Sequence, residues 1–292
     1  MKYFIVSANC STGIISKALI ELFPNYNFNS IVLPSIDDKI NTDKLLRKIE
    51  EVSKNNEVIW ITSGRFELIK DLKIQTIKIP NIFFDAFHPD LTYATDIKSK
   101  EFFYPHYNSQ IVIWCYNKSI NLSDTERLFN HNVYRQLGYD NFWNQSVSSF
   151  KKSFIECEFS EEDFNNFFIK IKKFNDFMYS INHPKNELLF EFAKLIAIKI
   201  DKDFDLTKKF NFFEHPCLEG KSWAFYPDLA NEYGLKGNYF WRFDDIIIRD
   251  LRSYITFAYD NYKKKQINPG ELKPVKIIDN LDYTLNYFLK KL

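Results

Sequence analysis

Short apolar runs alternate with segments whose apolar side chains recur every three or four positions, and this alternation dominates the first part of the chain. Residues 3–8 form a largely apolar run of the kind a strand buried on both faces requires. Ile15, Ala18, Leu19, Leu22 and Phe23 then follow at helical spacing. Residues 30–34 predict a second strand, and 41–54, with Leu45, Leu46, Ile49 and Val52 on one face, a second helix. Residues 58–61 predict a third strand, 65–71 a short helix and 77–84 a fourth extended segment. Short buried strands separated by helices imply a parallel sheet with right-handed crossovers.

Past residue 110 the pattern changes. Ile111, Val112, Ile113 and Trp114 read as one more strand, whereas 123–136, 160–175, 186–200, 227–233, 244–262 and 277–289 read as helices. Neither an internal repeat nor a Pro- or Gly-rich linker interrupts the chain. The expectation is one compact α/β domain over 1–292, with a parallel-sheet core in 1–115 and a mainly helical portion, 116–292, packed around it.

Composition narrows the chemistry. Lys plus Arg is 39 against 38 for Asp plus Glu, and the lysines come as scattered pairs such as Lys151/Lys152, so no basic face for nucleic acid is expected. Only seven glycines occur, with no G-x-G-x-x-G, no Walker loop and no G-x-S-x-G turn, which argues against Rossmann cofactors, P-loop phosphoryl transfer and the usual α/β-hydrolase nucleophile. Phe, Tyr, Ile, Asn and Lys are abundant while Ala and Gly are few. AT-rich coding produces that bias, so the aromatic excess carries no functional weight. The four cysteines, Cys10, Cys115, Cys157 and Cys217, have neither disulfide-framework nor zinc-site spacing, and reduced thiols without a metal are expected. The apolar start is too short for a signal peptide and no run of about 18 apolar residues could span a bilayer, so the expected location is the cytoplasm.

In open parallel sheets ligands bind beyond the carboxyl ends of the strands, and the candidate chemistry lies there. The first strand runs through Asn9, Cys10, Ser11, Thr12 and Gly13 into a helix, a setting that lowers a thiol pKa and can hold an oxyanion. The same residues also fit a plain start, with Ser11 or Thr12 as N-cap and Cys10 as a small core side chain. Thr62, Ser63, Gly64 and Arg65 end the third strand, where glycine admits a close backbone approach and arginine can meet phosphate. An ordinary strand-to-helix turn reads the same way. His88 stands in a Phe-His-Pro-Asp turn after the fourth extended segment. Asn182, His183 and Pro184 open a late helix, which proline tolerates in its first turn and which leaves His183 non-helical with its imidazole available to act. A capped helix that merely begins with His-Pro is the alternative.

A nucleophile after the first strand, a glycine turn after a later strand and a late His-Pro resemble the layout of the SGNH/GDSL hydrolases. Here Ser180 stands where those enzymes carry an Asp before the histidine. The chain is more closely similar to the WcbI family of capsular polysaccharide biosynthesis proteins. The matching segments are Asn9-Cys10, residues 80–90 with His88-Pro89-Asp90, residues 180–184, and residues 227–240; Ser11 stands where Gln is expected. The resemblance implies an SGNH-like sheet and an acetyl-coenzyme A-dependent O-acetyltransferase that acts on a saccharide acceptor. Cys10, His183 and His88, which follow strand ends or open a helix, are then the expected catalytic residues, with Asn9, Ser11, Ser35, Gly64 and Asn182 around the oxyanion or substrate, and Arg65 and Arg242 are the arginines available to the coenzyme A phosphates. His183 as general base follows from the usual pKa of imidazole. A covalent Cys10 thioester and direct attack of the sugar on acetyl-coenzyme A are both open. So are a carbohydrate esterase built on the same residues and a non-catalytic binding protein.

Overall fold

A computed structural model describes residues 2–9, 11–32, 39–64, 74–103, 107–209 and 221–292. The chain forms two compact units, each drawing on both halves of the sequence: 1–83, 148–178 and 182–217 make the first, and 84–147, 179–181 and 218–292 the second.

The first unit is built on four parallel strands, β1 (Lys2–Ser7), β2 (Asn27–Ser30), β3 (Glu57–Thr62) and β4 (Gln75–Lys78), in the order β2-β1-β3-β4. Phe4, Ile5 and Val6 are wholly buried, as a central parallel strand demands. Among the described residues the α-helices are α1 (Thr12–Leu22), α2 (Lys39–Ser53), α3 (Gln110–Asn117), α4 (Leu122–Arg127), α5 (His131–Gln136) and α6 (Phe142–Glu156). After these come α7 (Glu161–Ile171), α8 (Asn186–Ile200), α9 (Pro227–Glu232), α10 (Leu251–Lys264) and α11 (Leu281–Leu289). The connection from β1 to β2 steps one way across the sheet and that from β2 to β3 steps back past β1, so right-handed crossovers put α1 and α2 on opposite faces. Side chains follow that division: Ile5, Val58 and Trp60 pack on Leu45 and Ile49 of α2. On the first unit's helices, Phe154 meets Phe167 and Phe192, with ring centroids 5.2 and 5.8 Å apart, and α8 packs against α1.

The second unit is organised around Asp90. Its carboxylate accepts from the Tyr226 hydroxyl at 2.8 Å, the Tyr139 hydroxyl at 3.2 Å and the Ile111 amide at 3.1 Å, which sets it at the start of α3. Ser109 is the N-cap of that helix and accepts from the Val112 amide at 3.0 Å. Residues 111–114 are therefore helical, correcting the strand expected there. Every residue from Gln110 to Tyr116 is buried, so the run shows no polar face to betray its period, while Ser109 and Asp90 supply acceptors that only a helix start can use. A three-stranded antiparallel sheet of Lys221–Ser222, Trp241–Phe243 and Ile246–Ile248 replaces the start of the helix expected from 244. The helix begins at Leu251 because Asp250 caps it, accepting from the Ser253 amide at 2.8 Å. The stretch 123–136 is two helices, α4 and α5, the second opened by Asn130, whose side chain accepts from Val133. α6 was not foreseen from the sequence.

Two predictions follow from this packing. A Cβ on Gly237 would lie 2.6 Å from the Phe225 carbonyl oxygen, 2.7 Å from Pro227 Cα and 2.8 Å from Ala230 Cβ, two of them backbone atoms. Gly237→Ala is expected to cost about 1–3 kcal/mol in urea denaturation, and an unchanged midpoint would contradict this packing. Burial raises the Asp90 pKa above the ordinary 3.8, outweighing the lowering by hydrogen bonds from Ser109, Ile111, Tyr226 and Tyr139. A raised folded-state pKa contributes stability that is complete below the unfolded value and is lost as pH rises through the folded one. The stability of wild type relative to Asp90→Asn should therefore increase as the solution is acidified from neutrality towards about pH 4. A difference constant with pH would show that Asp90 titrates alike in both states.

Candidate functional site at the carboxyl edge of the parallel sheet

The strand order 2-1-3 reverses direction at β1, the kind of switch point beyond whose carboxyl ends ligands bind in open α/β sheets. The turn after β1 is tightly held. Thr12 Oγ1 accepts from the Ala8 amide at 2.8 Å and donates to the Asn9 carbonyl at 2.7 Å, and the Asn9 side-chain oxygen accepts from the Ser11 amide at 3.1 Å. These bonds fix the backbone on either side of position 10 and lead directly into α1. Ser11 occupies the N-cap position but makes no side-chain cap bond; Thr12 does the bracing instead. Gly13, in the first turn of α1, is exposed, and a Cβ there would meet nothing within 4 Å, so the space beside the helix start is open.

Beside this turn, the Ser63 amide donates to the Ser7 carbonyl at 3.1 Å, which ties the end of β3 to the end of β1. The Gly64 amide donates to Thr62 Oγ1 at a long 3.3 Å, while that hydroxyl donates to the Gly64 carbonyl at 2.8 Å. Three buried hydroxyl oxygens, on Ser7, Ser11 and Ser63, have no hydrogen-bond partner among the described residues. Buried hydroxyls are ordinarily bonded, so three of them gathered at one strand edge mark a place that a polar ligand can complete. Ser7, two places before Asn9, was not singled out in the sequence, and Ser63 was named only as part of the turn that ends the third strand.

Asn9, Ser11 and Gly64 thus meet at one edge of the first unit. Asn182 and His183 belong to the same unit. His183 is half-buried in an extended two-residue segment, His183–Pro184, and α8 begins only at Asn186 with Lys185 as N-cap. Pro184 therefore precedes the helix and does not occupy its first turn, which corrects the expected placement; His183 is non-helical as expected. The Lys185 amide donates to the Phe177 carbonyl at 2.9 Å and its ammonium pairs with Asp176 at 2.8 Å, so the segment leading into α8 is anchored within its unit. His88 and Arg242 lie in the second unit. The His88 ring is buried, with Nδ1 3.2 Å from the Ala224 carbonyl oxygen, and the Arg242 Nε donates to the Asp244 carbonyl at 3.1 Å. Cys10, Ser35 and Arg65 lie outside the described residues.

Two other thiols are described. Burial pushes the Cys115 thiol up to about 12, and it raises Cys157 too, despite the nearby Lys199 ammonium. Both are held protonated at neutral pH and are poor nucleophiles. Among the described residues, no cluster of His, Cys, Asp and Glu suits a metal ion, and no helix is long and apolar enough to cross a membrane.

Comparison with known proteins agrees with this architecture. One solved structure, described as WcbI, a novel polysaccharide biosynthesis enzyme, in its native form without a disulfide bond between coenzyme A and a cysteine, superposes with a TM-score of 0.63. The match covers 99% of this chain and 94% of that one at 11% identity, a likeness of fold. No curated protein matches the sequence. Residues 3–203 match the family described as polysaccharide biosynthesis enzyme WcbI, which is more than half of the chain. The chain belongs to the WcbI family of polysaccharide biosynthesis enzymes.

Proposed function

We propose that the protein is an O-acyltransferase that moves an acetyl group from acetyl-coenzyme A to a sugar hydroxyl in surface-polysaccharide assembly. The observation that carries the reading is the state of the thiols. The related WcbI structure is described by reference to a disulfide between coenzyme A and a cysteine, so in that protein a thiol can meet the coenzyme A sulfur. In this chain Cys115 is buried and Cys157 half-buried, and both are held protonated, whereas Cys10 lies in the sequence between the braced residues Asn9 and Ser11, at the reversal of strand order. A helix start there favours a thiolate and supplies amide donors to an oxyanion.

In this reading His183 is the general base. On the covalent route, the Cys10 sulfur attacks the thioester carbonyl and the carbon–sulfur bond to coenzyme A breaks. Coenzyme A leaves as the thiol, taking the proton held by His183, and the sugar oxygen then displaces Cys10 while His183 takes the sugar's proton. On the direct route the sugar hydroxyl attacks acetyl-coenzyme A, with its proton going to His183 and the oxyanion held by the amides of Cys10 and Gly64. Because the Gly64 amide is already bonded to Thr62 Oγ1, the oxyanion must compete with that long bond. Asn9, Ser11, Ser35 and Asn182 are assigned to the reacting atoms and Arg65 to the phosphates of coenzyme A, whereas Arg242 lies in the second unit. His88, a strand-end candidate in the sequence, lies in the second unit and takes no step on either route. Use of acetyl-coenzyme A would place the reaction in the cytoplasm.

The test is turnover of acetyl-coenzyme A with a saccharide acceptor, read as free coenzyme A, together with mass spectrometry of the protein after acetyl-coenzyme A alone. His183→Ala is expected to lower turnover by about 10²–10⁴-fold. An acetylated peptide containing Cys10, with a loss of comparable size in Cys10→Ser, establishes the covalent route. Near-normal turnover in Cys10→Ser establishes the direct one. Unchanged turnover in both variants overturns the assignment of this site, and acyl release from carbohydrate without coenzyme A would make the protein an esterase.

A further inference from the structure

The second unit contains an open cavity of about 610 Å³ between the ends of α3 and α10, within the range of small-molecule sites. Both helices finish in the same way. Ser119 and Gln266 adopt left-handed backbone conformations, φ 56° and 58°, just past the helix ends. The amides of the following residues, Ile120 and Ile267, then reach back to the Cys115 and Tyr262 carbonyls at 2.9 and 3.0 Å. Glycine is the unstrained residue at such a position and would leave nothing there. Here the twin caps set a hydroxyl and an amide on the cavity wall, with Ile120 and Ile267 beside them.

The wall is amphipathic. Ile120, Ile267 and the ring of Tyr259 supply apolar surface, and the Tyr259 hydroxyl is already bonded to the Ile120 carbonyl at 3.0 Å. The side chains of Ser119, Lys263 and Gln266 line the same cavity and make no hydrogen bond or ion pair among the described residues. No carboxylate lines it, so a divalent cation finds no charged ligand. Two helix C-termini place negative partial charge there and the Lys263 ammonium a positive charge, so the wall offers both acceptors and donors, as a polyhydroxylated ligand requires. A sugar ring has both requirements, a carbohydrate C–H face for the isoleucines and hydroxyls for the uncommitted polar groups.

We infer that this cavity is a saccharide-binding site, which holds a short neutral stretch of the glycan on which the enzyme acts. The inference rests on the saccharide acceptor of the proposed function, but its test does not depend on turnover. Saturation-transfer difference NMR of the full chain would use a panel of neutral di- and trisaccharides of glucose, galactose, mannose and N-acetylglucosamine, with coenzyme A and octanoate as comparison ligands. At least one saccharide is expected to bind, and its affinity to fall about tenfold in the double variant Lys263→Ala/Gln266→Ala, the loss expected for two hydrogen bonds. Both positions are exposed, and thermal melting confirms that the variant is folded. Cys10→Ala and His183→Ala should leave this binding unchanged. If they abolish it instead, the saccharide sits at the reaction centre and the inference fails. It fails equally if no member of the panel binds, or if only octanoate does so with the cavity variants losing it. Saccharide binding here without acetyl transfer would overturn the proposed reaction and leave this site standing.

Discussion

Everything functional in the first unit depends on the way a parallel ladder uses up its backbone. Each of β1 and β3 is hydrogen-bonded on both edges and flanked by side chains packed on both faces, so neither offers a polar group to a ligand along its length. Polar groups become available only where the ladder stops. Because the chain reverses its direction across the sheet at β1, its stop and that of β3 adjoin, and the Ser63 to Ser7 bond joins them. The turn at Asn9 and Thr12 is braced by its own side chains, so the start of α1 is fixed before any substrate arrives. Such preorganisation is what stabilisation of an oxyanion requires.

The second unit solves a different problem. With few glycines available, the chain turns out of helices through Ser119 and Gln266, and the unit is closed by aromatic packing, as where Trp241 stacks on Tyr254 at 4.3 Å. Large rings alone do not fix a helix register. The Asp90 carboxylate does, because its acceptors are satisfied only when Tyr139, Tyr226 and the first turn of α3 are all in place. The bias towards Phe and Tyr therefore has structural consequences even though it carries no message about the substrate.

Much of the first unit was legible because local pattern and tertiary role agree there. The alternation of buried runs with amphipathic helices gave β1, α1, α2 and β3 close to their observed bounds, and α8 at its observed ones. Legibility failed where tertiary burial erased the period. The run at 111–114 has the composition of a strand, and only the remote Asp90 shows that it begins a helix. In the helical half, Asp250 and Asn130 were visible as caps, and weighing them would have moved two boundaries correctly. Asn9, Ser11 and Gly64 can be chosen as candidates from the sequence because the strand-end rule needs only strands. The unpartnered hydroxyls of Ser7 and Ser63 cannot, because lacking a partner is a property of the folded state that no spacing encodes.

A buried ionisable group with a shifted pKa is a common sign of an active site, and Asp90 shows why the sign must be read with its surroundings. Its pKa is raised, yet its donors come from several directions and it sits against a helix start, so its hydrogen-bonding capacity is spent on the fold. The thiols divide by the same reasoning: Cys115 and Cys157 are shifted upward by burial, and that shift disarms them. Chemistry needs polar groups that the fold has positioned without consuming. Among the described residues, the hydroxyls of Ser7, Ser11 and Ser63 meet that condition at the edge of the sheet, and the side chains of Ser119, Lys263 and Gln266 meet it at the twin helix ends. The first set is buried, next to a helix start and suited to developing negative charge; the second is open, next to helix ends and suited to neutral hydroxyls. The two places differ in what the fold leaves uncommitted: buried hydroxyls beside a helix start in one, and an exposed ammonium, amide and hydroxyl beside two helix ends in the other.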